Sequence, residues 1–157
     1  MTAQVCETII YKGKELEMAT EPLKMILDNH TDLQLPSFST ACWRGYHGTW
    51  EITHQKLYLI DLQRDNPIIE GNLIDEVFPN QSPPIFAEWF TGEIRLPTGE
   101  ELIYVHMGYG SIYEKDILLR IENGNITSEN EIDNRKKIGS LSDKEKYMLQ
   151  DQLKRKL

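Results

Sequence analysis

The segment comprising residues 90–110 constrains the fold of this 157-residue chain more than any other part of it. Ile94 and Leu96 alternate with polar residues, which is typical of a strand with one buried face. Residues 97–100 read Pro-Thr-Gly-Glu, a composition typical of turns, and a second apolar run through Leu102 follows them. We therefore predict a β-hairpin with its turn at residues 97–100.

Short turn sequences divide much of the remaining chain into further hairpins. The turns are predicted at residues 12–14, 54–56 and 123–124, and the Asn-Gly pair of the last one favours the positive φ angles of a type I′ turn. The predicted strands comprise residues 5–11, 15–19, 49–53, 57–62, 85–90, 116–122 and 125–127.

Helices occupy little of the predicted fold. Thr20 can cap a short helix that ends near Asn29, and a second short helix fits residues 72–78. Residues 142–145 read Ser-Asp-Lys-Glu, a capping box that begins a C-terminal helix. The sequence thus predicts an α+β fold: a mainly antiparallel sheet of hairpins, strongly bent or partly closed, with one or two short helices and a C-terminal helix.

The composition changes after Ser128, where the chain becomes polar and charged. We predict a β-rich globular domain over residues 1–128, followed by a charged linker and the C-terminal helix over residues 129–157. Residues 129–139 have few apolar side chains to bury, so the sequence leaves open whether this helix docks on the sheet.

The formal charge of −8 is distributed unevenly along the chain. Residues 135–157 contain eight Lys or Arg against three Asp or Glu, so residues 1–134 carry a net charge of −13. Direct binding to nucleic acid is not expected, because it needs a basic surface. An acidic body can attract a cationic protein over about 8 Å in physiological salt, or it can simply keep the chain in solution.

Location and redox state follow from what the sequence does not contain. No apolar run approaches the roughly 18 residues of a membrane span, and no secretory leader precedes the first strand. We therefore expect a cytoplasmic protein with no membrane contact. Cys6 and Cys42 have neither a CxxC spacing nor further cysteines, so two reduced, buried thiols are favoured over a disulfide or a zinc finger.

The candidates for catalytic chemistry are few. Cys42, His47 and His106 are the residue types of a thiol-dependent enzyme, but no predicted helix begins at Cys42 to lower the pKa of its thiol. A buried thiol beside a structural histidine is the favoured interpretation. The histidines show no HxH, HxxxH or HExxH spacing, so no metal or cofactor site is predicted.

Two segments rich in glycine and aromatic residues, 43–50 and 106–114, are the strongest peculiarity of the composition. Tyr, Trp and Arg are enriched at the energetic centres of protein interfaces, although the same residues can form a packed aromatic core. The candidate partner-binding residues are Arg44, Tyr46, His47, Glu88, Glu93, His106, Tyr109, Tyr113 and Glu114.

Residues 40–52 (TACWRGYHGTWEI), 56–62 (KLYLIDL) and 86–116 resemble a group of small bacterial proteins without an assigned activity. The resemblance spans roughly residues 7–122 and implies no catalytic residues. In size and acidity the chain is also similar to immunity proteins of contact-dependent inhibition and other polymorphic toxin systems.

Together these observations favour a non-enzymatic protein-binding module, most concretely an immunity protein that neutralises a cationic, nuclease-type toxin domain. The alternative is a small-molecule-binding or enzymatic domain with a pocket between segments 43–50 and 106–114. Arg44, His106 and Glu114 would then be the functional residues of the pocket. A third interpretation, a structural or regulatory accessory domain, requires neither a pocket nor a cationic partner.

Overall fold

A computed structural model describes residues 2–156 and contains an eight-stranded sheet with four short helices. The strands are β1 (Glu7–Tyr11), β2 (Lys14–Met18), β3 (Tyr46–Thr53), β4 (Lys56–Arg64), β5 (Ile85–Phe86), β6 (Gly92–Ile103), β7 (Ile112–Glu122) and β8 (Asn125–Asp133). The helices are α1 (Lys24–Leu27), α2 (Leu73–Val77), α3 (Arg135–Gly139) and α4 (Asp143–Lys156).

The strands form one mixed sheet in the order β2-β1-β3-β4-β8-β7-β6, with β5 paired to β4. Strands β1 and β3 are parallel, and the other pairs are antiparallel. The two ends of the sheet approach each other where Ala19 N donates to Arg95 O at 2.9 Å. The predicted α+β class is confirmed, but the sheet is not closed.

The hairpin predicted at residues 97–100 is wrong. Strand β6 continues through these residues and pairs with β7, and the pairing shifts between Thr98 and Glu101. Pro97 has no N–H to donate, and it is tolerated because β6 is the last strand of the order. The side of β6 that faces away from β7 carries no strand ladder that the missing N–H could interrupt. Gly99 has a φ of +82°, so the turn-like sequence forms a bulge instead of a chain reversal.

The three other predicted hairpins are present as β1–β2, β3–β4 and β7–β8. Asn123 and Gly124 have φ angles of +49° and +81°, as a type I′ turn requires. Strand β8 is longer than predicted and crosses the expected boundary at residue 128. Its extra residues, 128–133, pair with residues 115–120 of β7.

Two predicted elements are shorter in the structure. The helix expected from Thr20 comprises only Lys24–Leu27, because the Thr20 hydroxyl accepts a hydrogen bond from Arg95 N instead of capping it. The strand expected over residues 85–90 ends at Phe86. The chain then turns so that Trp89 packs against Phe78, with ring centroids 5.3 Å apart.

The main core lies on the inner face of the sheet, as expected from the alternating strands. Trp50, Leu57 and Leu119 are fully buried there, which confirms the inward position predicted for Trp50. A second, smaller core holds Ile103, Val105 and Ile138.

The C-terminal helix docks on this smaller core. Leu149 and Leu153 of α4 pack against it, and Ile138 of α3 belongs to it. The predicted capping box is present: Ser142 N donates to a Glu145 carboxylate oxygen at 2.7 Å, and Glu145 N donates to Ser142 Oγ at 3.3 Å. None of the helices in residues 2–156 combines the length and the apolar composition needed to cross a bilayer.

Candidate functional site

The connection between α1 and β3 carries two exposed aromatic residues. Phe38 and Trp43 are 64% and 49% exposed, although both belong to residue types that usually bury most of their surface. We call residues 38–43 the aromatic loop. Its last residue, Trp43, is also the first residue of segment 43–50, one of the two segments rich in glycine and aromatic residues. We call these two segments, 43–50 and 106–114, the Gly-aromatic segments.

Hydrogen bonds to side chains hold the aromatic loop in place at both ends. Asp65 Oδ2 accepts from Phe38 N at 2.7 Å and from Ser39 N at 3.3 Å. Gln4 Oε1 accepts from Trp43 N at 2.7 Å, and Gln4 Nε2 donates to Thr40 O at 2.9 Å. The loop therefore presents its two rings on a fixed backbone.

A cluster of three potential ligands lies directly behind the loop. His47 Nε2 lies 2.8 Å from Asp65 Oδ1, and one ligand atom each of Cys42, His47 and Asp65 lies within 4.8 Å of the others. The hydrogen bond from His47, together with those from Phe38 N and Ser39 N, lowers the pKa of the Asp65 carboxyl group. Cys42 lies in the aromatic loop, His47 lies in β3, and Asp65 directly follows β4.

A histidine close to a cysteine can activate the thiol as a nucleophile, but the Cys42 thiol is poorly suited to that role. Cys42 is only 1% exposed, and its Sγ donates to Tyr46 O at 3.4 Å. Burial raises the pKa of the thiol, which disfavours the nucleophilic thiolate. The preference for a buried thiol beside a histidine thus agrees with the local geometry.

A buried carboxyl group lies under the same end of β3. Glu7 is 2% exposed, and it accepts from Trp50 Nε1 at 2.9 Å and from the Tyr46 hydroxyl at 3.5 Å. Burial raises the pKa of Glu7 to about 7, although both hydrogen bonds lower it. Gly48 makes this position possible, because a Cβ there would lie 2.1 Å from Glu7 Oε1.

Arg44 joins the two Gly-aromatic segments. Its Nη1 donates to Val5 O at 2.5 Å and to the Tyr109 hydroxyl at 3.1 Å, and its guanidinium carbon lies 5.4 Å from the centre of the Tyr46 ring. Its Nε and Nη2 are buried without a hydrogen-bond partner among the described residues. Arg44 therefore links the segment that precedes β1, the start of β3 and the segment that contains Tyr109.

A second arginine, which the sequence did not single out, fixes the other side of that segment. Arg95 donates to Asp116 Oδ1 at 2.8 Å, to Tyr109 O at 2.6 Å and to Ser111 O at 2.7 Å. A cavity of about 60 Å³ lies beside these groups and is also lined by Cys6 and Tyr113. It is too small for most substrates.

The predicted partner-binding residues occupy several separate places. Arg44 and Tyr109 are in contact, and Tyr46 packs beside them, but Tyr46 is 1% exposed and offers no surface to a partner. The strand predicted from residue 49 begins at Tyr46 in the structure, and this places Tyr46 on the inward face of β3. His47 remains exposed beside the aromatic loop.

The remaining predicted partner-binding residues lie in β6, in β7 and in the connections beside these strands. His106 Nδ1 pairs with the Tyr104 hydroxyl at 2.8 Å, and Glu114 Oε1 accepts from Glu100 N at the bulge of β6. Burial raises the pKa of Tyr113, at the start of β7, to about 12. Glu88 and Glu93 are exposed, before and within β6 respectively.

The larger clefts do not involve these residues. One of about 620 Å³ is lined by Tyr58, Ile60 and Pro84, among others, and one of about 550 Å³ lies between β4 and α2. Arg44, His106 and Glu114, the residues of the alternative enzymatic interpretation, have separate hydrogen-bond partners.

Comparison of the chain with models of protein families, with curated proteins and with solved structures finds no match. The resemblance to small bacterial proteins and to immunity proteins therefore stays a prediction.

Proposed function

We propose that this protein is a non-enzymatic binding module and acts as an immunity protein that neutralises a cationic toxin domain of the nuclease type. The observation that carries the proposal is the aromatic loop, where Phe38 and Trp43 are exposed on a backbone fixed by side-chain hydrogen bonds. Exposed rings of this kind are the residues that dominate binding energy at protein interfaces.

The rigidity of the loop supports binding over a role in packing alone. A loop that is ordered before association loses less conformational entropy when a partner binds. Asp65 and Gln4 provide this order through hydrogen bonds of 2.7 Å to Phe38 N and Trp43 N. The rings can thus contact a partner without rearrangement of the backbone.

Charge supports a cationic partner. Residues 1–134, which include the aromatic loop and β1–β8, carry a net charge of −13. Asp and Glu side chains can pair with the Lys and Arg residues with which a nuclease holds phosphate groups, and His47 adds a polar group at the edge of the loop. His47 is the predicted partner-binding residue that remains exposed at this place.

The test is protection of growing cells from the toxin domain encoded in the neighbouring open reading frame. Co-expression of the wild-type protein is expected to restore growth, and the double variant Phe38→Ala/Trp43→Ala is expected to lose protection. Ile68→Ala is the matched control, because Ile68 is 77% exposed and lies outside the aromatic loop. A neighbouring frame without toxicity, or protection that survives the double variant, would contradict the proposal.

A second prediction concerns salt. Because the acidic body steers a cationic partner, the association rate constant should fall by about tenfold or more between low and physiological ionic strength. The dissociation rate constant should change little. Stopped-flow measurements over a salt series check this, and an association rate that does not depend on salt would exclude electrostatic steering.

A further inference from the structure

The proposed function uses Asp65 and His47 separately, but it gives no role to the cluster that they form with Cys42. A thiol, an imidazole and a carboxylate from three parts of the fold place one ligand atom each within 4.8 Å of the others. We propose that this cluster binds a zinc ion, with the three side chains as ligands.

The donor set fits this metal. Zinc accepts sulfur, nitrogen and oxygen donors and adopts tetrahedral geometry, which places neighbouring donor atoms about 3.3–3.6 Å apart. His47 Nε2 and Asp65 Oδ1 are now 2.8 Å apart, so an ion between them needs a small opening of the hydrogen bond. Movements below about 1 Å at the ends of these side chains bring the donor atoms to ligand distances.

The charges balance when the ion binds. Zinc replaces the proton of the Cys42 thiol, and that proton passes to solvent. The thiolate and the Asp65 carboxylate then neutralise the two positive charges of the ion, while His47 coordinates as the neutral imidazole. No oxidant, reductant or further reactant is needed.

The surroundings orient one ligand and leave access for the ion. Asp65 Oδ2 is held by Phe38 N and Ser39 N, so Oδ1 is directed toward His47, in the manner of the outer hydrogen bonds that orient metal ligands. The His47 side chain is 45% exposed, so the ion can enter from its side. Three protein ligands would leave the fourth tetrahedral position of the ion to a water molecule.

Cobalt(II) is the probe for the test, because it takes zinc sites and its thiolate complexes absorb in the near ultraviolet. Titration of the full chain is expected to give one cobalt per chain with a thiolate-to-cobalt charge-transfer band, and zinc should displace it. Cys42→Ser should abolish the band, whereas Cys6→Ser, which alters the other cysteine, should retain it.

Because Cys42 is buried, Cys42→Ser can fail to fold, and a second variant keeps the test decisive. His47→Ala alters a half-exposed side chain and should fold, as circular dichroism can verify, yet lose at least ~10-fold in cobalt affinity. His106→Ala is its matched control, since His106 is an exposed histidine with a different partner, Tyr104. Absence of the band in the wild-type protein, or an unchanged affinity of folded His47→Ala, would overturn the proposal.

Discussion

Gly45→Ala is expected to lower the free energy of unfolding by about 3–5 kcal/mol, while Gly13→Ala is expected to lower it by only about 1–2 kcal/mol. Both glycines have a φ of +76°, so both substitutions carry the same backbone strain. They differ in space: a Cβ at Gly45 would lie 2.1 Å from Leu35 O, whereas nothing lies within 4 Å of one at Gly13.

The clash at Gly45 involves backbone atoms and cannot be relieved by a side-chain rotation. Leu35 precedes the aromatic loop and is partly buried against the core, so the loop itself would have to move. Urea denaturation of the two variants gives both free energies directly. Equal losses for Gly45→Ala and Gly13→Ala would contradict the close packing of this connection on the start of β3.

Glu7→Gln is expected to remove a pH dependence of stability that the wild-type protein shows between about pH 4.5 and pH 7. The pKa of Glu7 is raised to about 7 by burial, so over this interval the folded protein keeps a proton that the unfolded chain has released. The contribution of this group is complete below about pH 4.5 and declines as pH rises through 7. The loss amounts to roughly 3 kcal/mol.

Glutamine keeps an oxygen that can accept from Trp50 Nε1 but does not titrate. Above pH 7 the variant should therefore be more stable than the wild-type protein by up to roughly 3 kcal/mol. Asp65 and Glu129 have lowered pKa values, so the stability that they contribute is lost as pH falls. Both proteins contain these groups, and their contribution cancels when the two are compared.

Urea denaturation at pH 5 and at pH 8 measures this difference. Glu15→Gln, at an exposed position of β2, is the control and should follow the wild-type protein at both pH values. If the stability curves of wild type and Glu7→Gln run parallel from pH 5 to pH 8, Glu7 is ionised in the folded protein as it is in the unfolded chain, and the raised pKa is contradicted.

Local turn chemistry allowed much of the fold to be predicted. The Asn123-Gly124 turn and the capping box at Ser142 are found where their residue types indicate, because these motifs depend on neighbours in sequence. The Pro-Thr-Gly-Glu sequence led to the wrong prediction of a hairpin turn, because a β-bulge and a turn favour the same residues. Its outcome was decided by pairing with β7, which lies further along the chain.

The candidate site was less accessible to prediction. The alternation along β1 places Glu7 on the same face as the buried Ile9 and Tyr11, so the pattern did contain a signal for a buried carboxyl group. The meeting of His47 with Asp65 depends on the register of β3 and β4, which shifts between Thr49 and Trp50. No residue pattern marks this shift, so histidine spacing alone could not reveal the cluster.

Recognition through the aromatic loop is tested most directly by the affinity of the Trp43→Ala variant for the toxin domain encoded beside this protein, determined by titration calorimetry. Trp43 is half exposed on a fixed loop, so its truncation should leave folding intact and raise the dissociation constant by at least ~30-fold, while Ile68→Ala changes it less than about threefold. A complex that binds equally well without the Trp43 ring, or no complex with the wild-type protein, would contradict recognition through the aromatic loop.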